Sequence, residues 1–205
     1  MKKKINLAKA IFFILVIGLL LPGCILSLIP LPEIKTSIKL FSASIPATSF
    51  EQWVNNEERS INKVCANTGF DVETLRQRAI EGIQKLPLSR WMTRLLTYAI
   101  NEIEVKSVTV EKITLRATAG NFSKISKISA KIKINNSGII DLGEGKFNQD
   151  KTEIYFDKKI EVLNYVNKNP SEQTCVEGSL TITGTLGTQA INFDGIFDIS
   201  IKLSF

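Results

Sequence analysis

The last fifteen residues, INFDGIFDISIKLSF, constrain the fold more than any other stretch. Ile191, Phe193, Phe197, Ile199, Ile201, Leu203 and Phe205 all stand at odd positions, with mainly polar residues between them. Successive side chains of a β-strand point to opposite faces, so this spacing puts the large apolar groups on one side. On a helix the same residues would be scattered round the axis. A strand with one wet and one apolar face is stable only in a sheet whose apolar face is covered. Packed sheets are therefore the expected framework.

The same period governs the chain from Glu104 onward. Val108 and Val110 share one parity and Ile113, Leu115 and Ala117 the other, a slip that predicts a bulge at Glu111-Lys112. Ile128, Ala130, Ile132 and Ile134 alternate cleanly, and Asn135-Asn136-Ser137-Gly138 supplies turn residues. Ile140 and Leu142 open a returning strand that runs toward Phe147. Ile154, Phe156, Ile160 and Val162 mark a less regular strand, and Val176, Leu180 and Ile182 precede a turn through Gly184–Gly187. Near the start, Ile34, Ile38 and Leu40 outline a first strand. Six or seven such strands predict a mainly β fold, an antiparallel sandwich of immunoglobulin-like type. The final strand, ending in Phe205, also has the look of a closing strand of an outer-membrane barrel. Charged residues on several other strands favour the sandwich.

Residues 49–101 read differently, as a helical insertion after the first strand. Thr48 and Glu51 have capping-box spacing, and Val54, Glu57, Ile61, Val64 and Cys65 follow at helical intervals up to Gly69. Asp71 is placed to cap a second helix, with Phe70 and Leu75 as its hydrophobic staple and Val72, Leu75, Ala79, Ile80 and Ile83 as its buried stripe. Pro87 ends it. Leu88, Trp91, Met92, Leu95, Leu96 and Ala99 outline a third. The expectation is one domain, residues 33–205, carrying a block of about three helices. No repeat or low-complexity linker divides it.

The N-terminus is of another kind. Lys2, Lys3 and Lys4 precede an apolar run from Ala10 to Leu21, the layout of a secretory signal peptide. Leu21-Pro22-Gly23-Cys24 then resembles the lipobox of bacterial lipoproteins. That resemblance covers only the first 24 residues. It implies removal of residues 1–23, acylation of Cys24, and a short apolar tether, residues 24–32, close to the bilayer. Two or more acyl chains would hold the domain stably at a membrane. The uncharged stretch continues to Pro32, long enough to span a bilayer, so an uncleaved anchor is the competing reading. Pro22, Pro30 and Pro32 weigh against it. The expected location is the periplasmic face or cell surface of a bacterium, held by lipid.

Export changes how the other residues are read. Of 26 basic residues, Lys2, Lys3, Lys4 and Lys9 precede Cys24 and no acidic residue does, so the exported chain would carry 22 against 20. Such a balance gives no reason to expect nucleic acid as a partner. Cys65 and Cys175 are expected to form a disulfide in an oxidising compartment, joining the helical block to the sheet.

Residues that carry chemistry are few. The chain contains no histidine, so a Ser-His-Asp relay and imidazole metal ligands are both ruled out. Gly143-Glu144-Gly145-Lys146-Phe147 lacks the remaining residues of a phosphate loop and reads as a hairpin turn. Glu57-Glu58, Glu102 with Glu104, and Asp194 with Asp198 are carboxylate pairs of the kind that line solvated faces. Trp53 and Trp91 are suited to a core or to stacking on a sugar, and their place beside the helical stripes favours the core. No cofactor, metal site or catalytic set is expected. The functional expectation is a lipid-anchored interaction or structural module with an envelope protein as partner. The alternative is a carrier of an apolar ligand such as lipid.

Overall fold

The computed structural model describes residues 31–87 and 99–204. Cys24 with its leader, and the helix expected through Leu88, Trp91, Met92, Leu95 and Leu96, lie outside the described residues. Among the described residues, in order, lie β1 (Ile34–Ile45), β2 (Gln52–Ala66), α1 (Val72–Gln84), β3 (Glu104–Ala119), β4 (Ile125–Ile134) and β5 (Ile140–Glu144). Then come β6 (Lys146–Phe147), β7 (Glu153–Phe156), β8 (Ile160–Glu161), β9 (Thr174–Leu186) and β10 (Ile191–Ser204). Two antiparallel sheets result. One has the order β1-β10-β3-β7-β6, with β8 also beside β3, and the other β2-β9-β4-β5. Their apolar faces share one core, so the β-sandwich expected from the alternation is what forms. The strand order is not that of an immunoglobulin domain, whose last strand lies at a sheet edge. Here the last strand is flanked by β1 and β3.

The consecutive strands β9 and β10 are central, one in each sheet. The odd residues Phe193, Phe197, Ile199, Ile201 and Leu203 face the interior. Phe41 from β1 meets Phe193 and Phe197 edge-on, each at 6.4 Å between ring centroids. Its ring lies over Gly195, where a Cβ would come within 2.2 Å of ring carbon Cε1. Glycine is required there by close approach. The predicted bulge at Glu111-Lys112 is present: Lys112 pairs with Asp198 but Val110 with Ile199.

The helical block is corrected. Only α1 of its first two helices exists, and it forms for the reasons expected. Asp71 Oδ1 accepts from the Thr74 amide at 2.7 Å, and Phe70 and Leu75 are both buried. Arg76 ties the helix to the turn at Ile100–Glu102 by donating to the carbonyls of Ile100 and Ile103, each at 2.5 Å.

The segment expected as the first helix is instead the edge strand β2. Val54 pairs with Gly184, Glu57 with Ile182, Ile61 with Gly178, and Val64 with Val176. Between Val54 and Glu57, and again between Ile61 and Val64, β2 advances three residues while β9 advances two. Each step is a bulge. Two bulges turn a period of two into spacings of three, four and three, which imitate a helix. Asn56 takes a positive φ of 52° at the first bulge. Thr48, expected to cap a helix, instead hydrogen-bonds Phe50 O at 2.7 Å.

Cys65 and Cys175 are bonded, as expected, but they staple strand to strand. They are directly opposed in the β2–β9 ladder, with Cα atoms 4.0 Å apart. The stretch Gly143–Phe147 is also not a hairpin. The chain leaves β5 in one sheet and enters β6 in the other, and Gly145 turns the corner where a Cβ would meet Ile154 Cγ2 at 2.5 Å.

Candidate functional site

The two ends of the sandwich differ. At one end Ile34 begins β1, paired with Ile201, and packs against Gly82 of α1. At the other end the loops 46–51, 120–124 and 187–190 join the strands. This second end carries the candidate site.

Its loops are held from below. Phe122 is fully buried and packs on Phe193 with ring centroids 6.3 Å apart, while its neighbours Asn121 and Ser123 stay exposed. Asn121 Oδ1 accepts from the Ser123 amide at 3.0 Å, which shapes the turn. The Thr48 amide donates to Gly187 O at 3.0 Å, and the Thr48 hydroxyl reaches the same carbonyl at 3.1 Å. Thr185 N donates to Lys124 O at 2.9 Å. Glu51 and Lys124 form an ion pair across the opening.

These loops enclose a pocket of about 360 Å³, lined by Glu51, Asn121, Ser123, Lys124, Thr185 and Gln189, among others. Polar groups dominate it, and its two charges are paired with each other. Trp53 is not one of its lining residues, but it stands opposite one of them, Thr185, in the β2–β9 ladder. Trp53 is 65% exposed and Phe50 66% exposed. The expectation that Trp53 belongs to the core is thus corrected. It takes the outward parity of β2, next to inward Val54.

The carboxylates singled out in the sequence do not converge. Glu57 and Glu58 are neighbours on a strand and so point to opposite faces. Glu57 pairs with Arg59 on its own side. Asp194 and Asp198 lie on the outer face of β10, each with its own cation: Lys39 at 2.8 Å and Lys112 at 3.3 Å. Burial alone would raise the pKa of Asp194, but hydrogen bonds from Lys39 and Ser42 outweigh it and hold the carboxyl below its usual range. Among the described residues no three His, Cys, Asp or Glu side chains are grouped to hold a metal ion.

Nothing in the sequence assembled the pocket. Glu51 stands at capping-box spacing and Thr185 in a turn signal, and neither these nor Asn121, Ser123 and Gln189 carry a local signal that would bring them together. They meet only because three loops close the same end.

No family model matches the chain, and no curated protein matches it. Among solved structures, one titled "Structure of infectious bursal disease virus Gt strain" aligns at 6% identity with a TM-score of 0.30. It covers 84% of this chain and 32% of the viral one, so this chain spans about a third of that protein's length. A likeness so slight carries no argument.

Proposed function

We propose that the protein is a lipid-anchored component of a bacterial cell envelope, acting as a non-catalytic interaction module. The observation that carries this reading is the polarity of the sandwich. The chain enters at the α1 end, whereas the exposed aromatic residues and the pocket lie at the opposite end. A chain tied to a bilayer through acylated Cys24 would present that far end outward. Nine residues lie between Cys24 and Ile34, a span of ten Cα steps that reaches at most about 35 Å when fully extended, so the domain would stay near the membrane. Glu33, just before β1, fixes the entry point by accepting from the Ser200 hydroxyl, with Lys202 nearby.

Lipid carriage is less well supported. The apolar crevice between α1 and the turn after it, lined by Ile80, Ile83, Ile100 and Ile103, has a volume of about 10 Å³. Ligand pockets are typically about 300–1,000 Å³.

The deciding experiment is the intact mass of membrane-extracted protein, with its N-terminal peptide sequenced. A chain beginning at acylated Cys24 is expected, and Cys24→Ala should give an unacylated chain that keeps residues 1–23. An unmodified chain beginning near Met1 would overturn the anchor and make residues 10–32 a membrane segment.

A further inference from the structure

We infer that the pocket at the far end binds a neutral saccharide, with the Trp53 indole as its stacking platform. The inference deepens the interaction-module reading and rests on the far end being the working end, not on acylation.

The volume of about 360 Å³ is that of a small-ligand site. Its chemistry selects the ligand. Asn121 and Gln189 each offer an amide donor and an amide acceptor, and Ser123 and Thr185 offer hydroxyls. Groups that both give and accept hydrogen bonds suit a ligand that does the same, which is what a row of sugar hydroxyls provides. An apolar ligand would leave those amides desolvated without partners. An ion is disfavoured because Glu51 and Lys124 neutralise each other. One paired lysine gives a nucleic acid no hold.

A sugar ring also has an apolar C–H face, which needs a flat partner. The exposed indole of Trp53 supplies it, with an N–H at its edge to donate. The loops are pinned by Phe122 in the core and by the Thr48–Gly187 bonds, so the site is formed before a ligand arrives.

The test uses the full chain in detergent micelles, titrated with N-acetylglucosamine tetrasaccharide and with maltotetraose. Calorimetry and tryptophan emission are the readouts. Saturable binding of one or both is expected, with a blue shift as the exposed indole is covered. Trp53→Ala and the pair Asn121→Ala/Gln189→Ala should each weaken it by about tenfold or more, whereas Trp53→Phe should keep most of it. Ile139→Ser, which alters an exposed apolar residue elsewhere, should change nothing. Unchanged thermal melting shows that each variant is folded.

No saturable response to either sugar would overturn the inference, as would binding unaltered by Trp53→Ala. A protein captured by a photo-crosslinker at position 53, with no sugar binding, would overturn it and leave the module reading intact. An unacylated, uncleaved Cys24→Ala chain with sugar binding retained would support both readings separately.

Discussion

β2 and β10 are of similar length, yet β2 spaces its inward residues like a helix while β10 alternates without a break. The difference lies in where their bulges fall. β10 sits between β1 and β3, and every register shift on either side is absorbed by those neighbours. Its own residues therefore alternate without a slip, and an interior of Phe and Ile follows. β2 pairs only with β9 and carries both bulges of that ladder itself. It also directs Glu57 and Arg59 inward as an ion pair. Bulges and inward charges are how edge strands avoid pairing with other chains. A central strand is written for packing, and an edge strand partly for protection.

Removing what holds each of the two strands in place should have the largest effects. The Cys65–Cys175 bond closes a loop with a sequence separation of 110 residues. Replacing both cysteines with serine should cost roughly 4–5 kcal/mol in the chain-entropy treatment, measured by urea unfolding against the oxidised parent. On β10, Phe197→Ala removes a fully buried ring from the aromatic cluster and should cost about 3–5 kcal/mol by the same measurement. A loss below about 1 kcal/mol at Phe197 would mean that β10 is not the core strand described.

The bulge itself is tested at Asn56. Asn56→Val places a branched side chain at a positive φ and should cost about 1–2 kcal/mol. Asn56→Gly relieves the backbone but loses the bond from the Thr183 hydroxyl, and should be close to neutral. Equal effects of the two variants would argue against the bulge. Smaller still, Trp53→Phe should shift stability by no more than about 0.5 kcal/mol, because the ring is solvent-exposed.

The smallest effect concerns pH. Asp194 titrates below the usual carboxylate value near 3.9, so its bonds to Lys39 and Ser42 contribute stability above that pH. That contribution is lost as pH falls through the folded value. Asp194→Asn should therefore flatten the acid limb of a melting-temperature profile slightly, and NMR titration of the carboxyl checks the direction.

Much of the fold was legible in particular residues. The odd-numbered apolar residues of β10, the slip at Glu111-Lys112, and the cap and staple around Asp71 all act through neighbours a few positions away. Local spacing suffices for them. The candidate site was not legible, because Glu51, Asn121 and the segment from Thr185 to Gln189 are separated by long stretches of chain. Trp53 was misplaced for the same reason as β2: one extra residue beyond it hid the parity that sends it outward.

Local spacing was enough for a packed antiparallel β domain, for the capped helix after Asp71 and for a cysteine pair able to close the fold, and it wrongly put a helix where β2 forms. Burial is periodic, and period is a property of neighbours in the chain. Which strands are central, which carry the bulges, and which loops close one end over a polar pocket near an exposed indole emerge only when the sheets assemble. Those outcomes depend on pairing between distant segments, where a single inserted residue exchanges the inside of a strand for its outside.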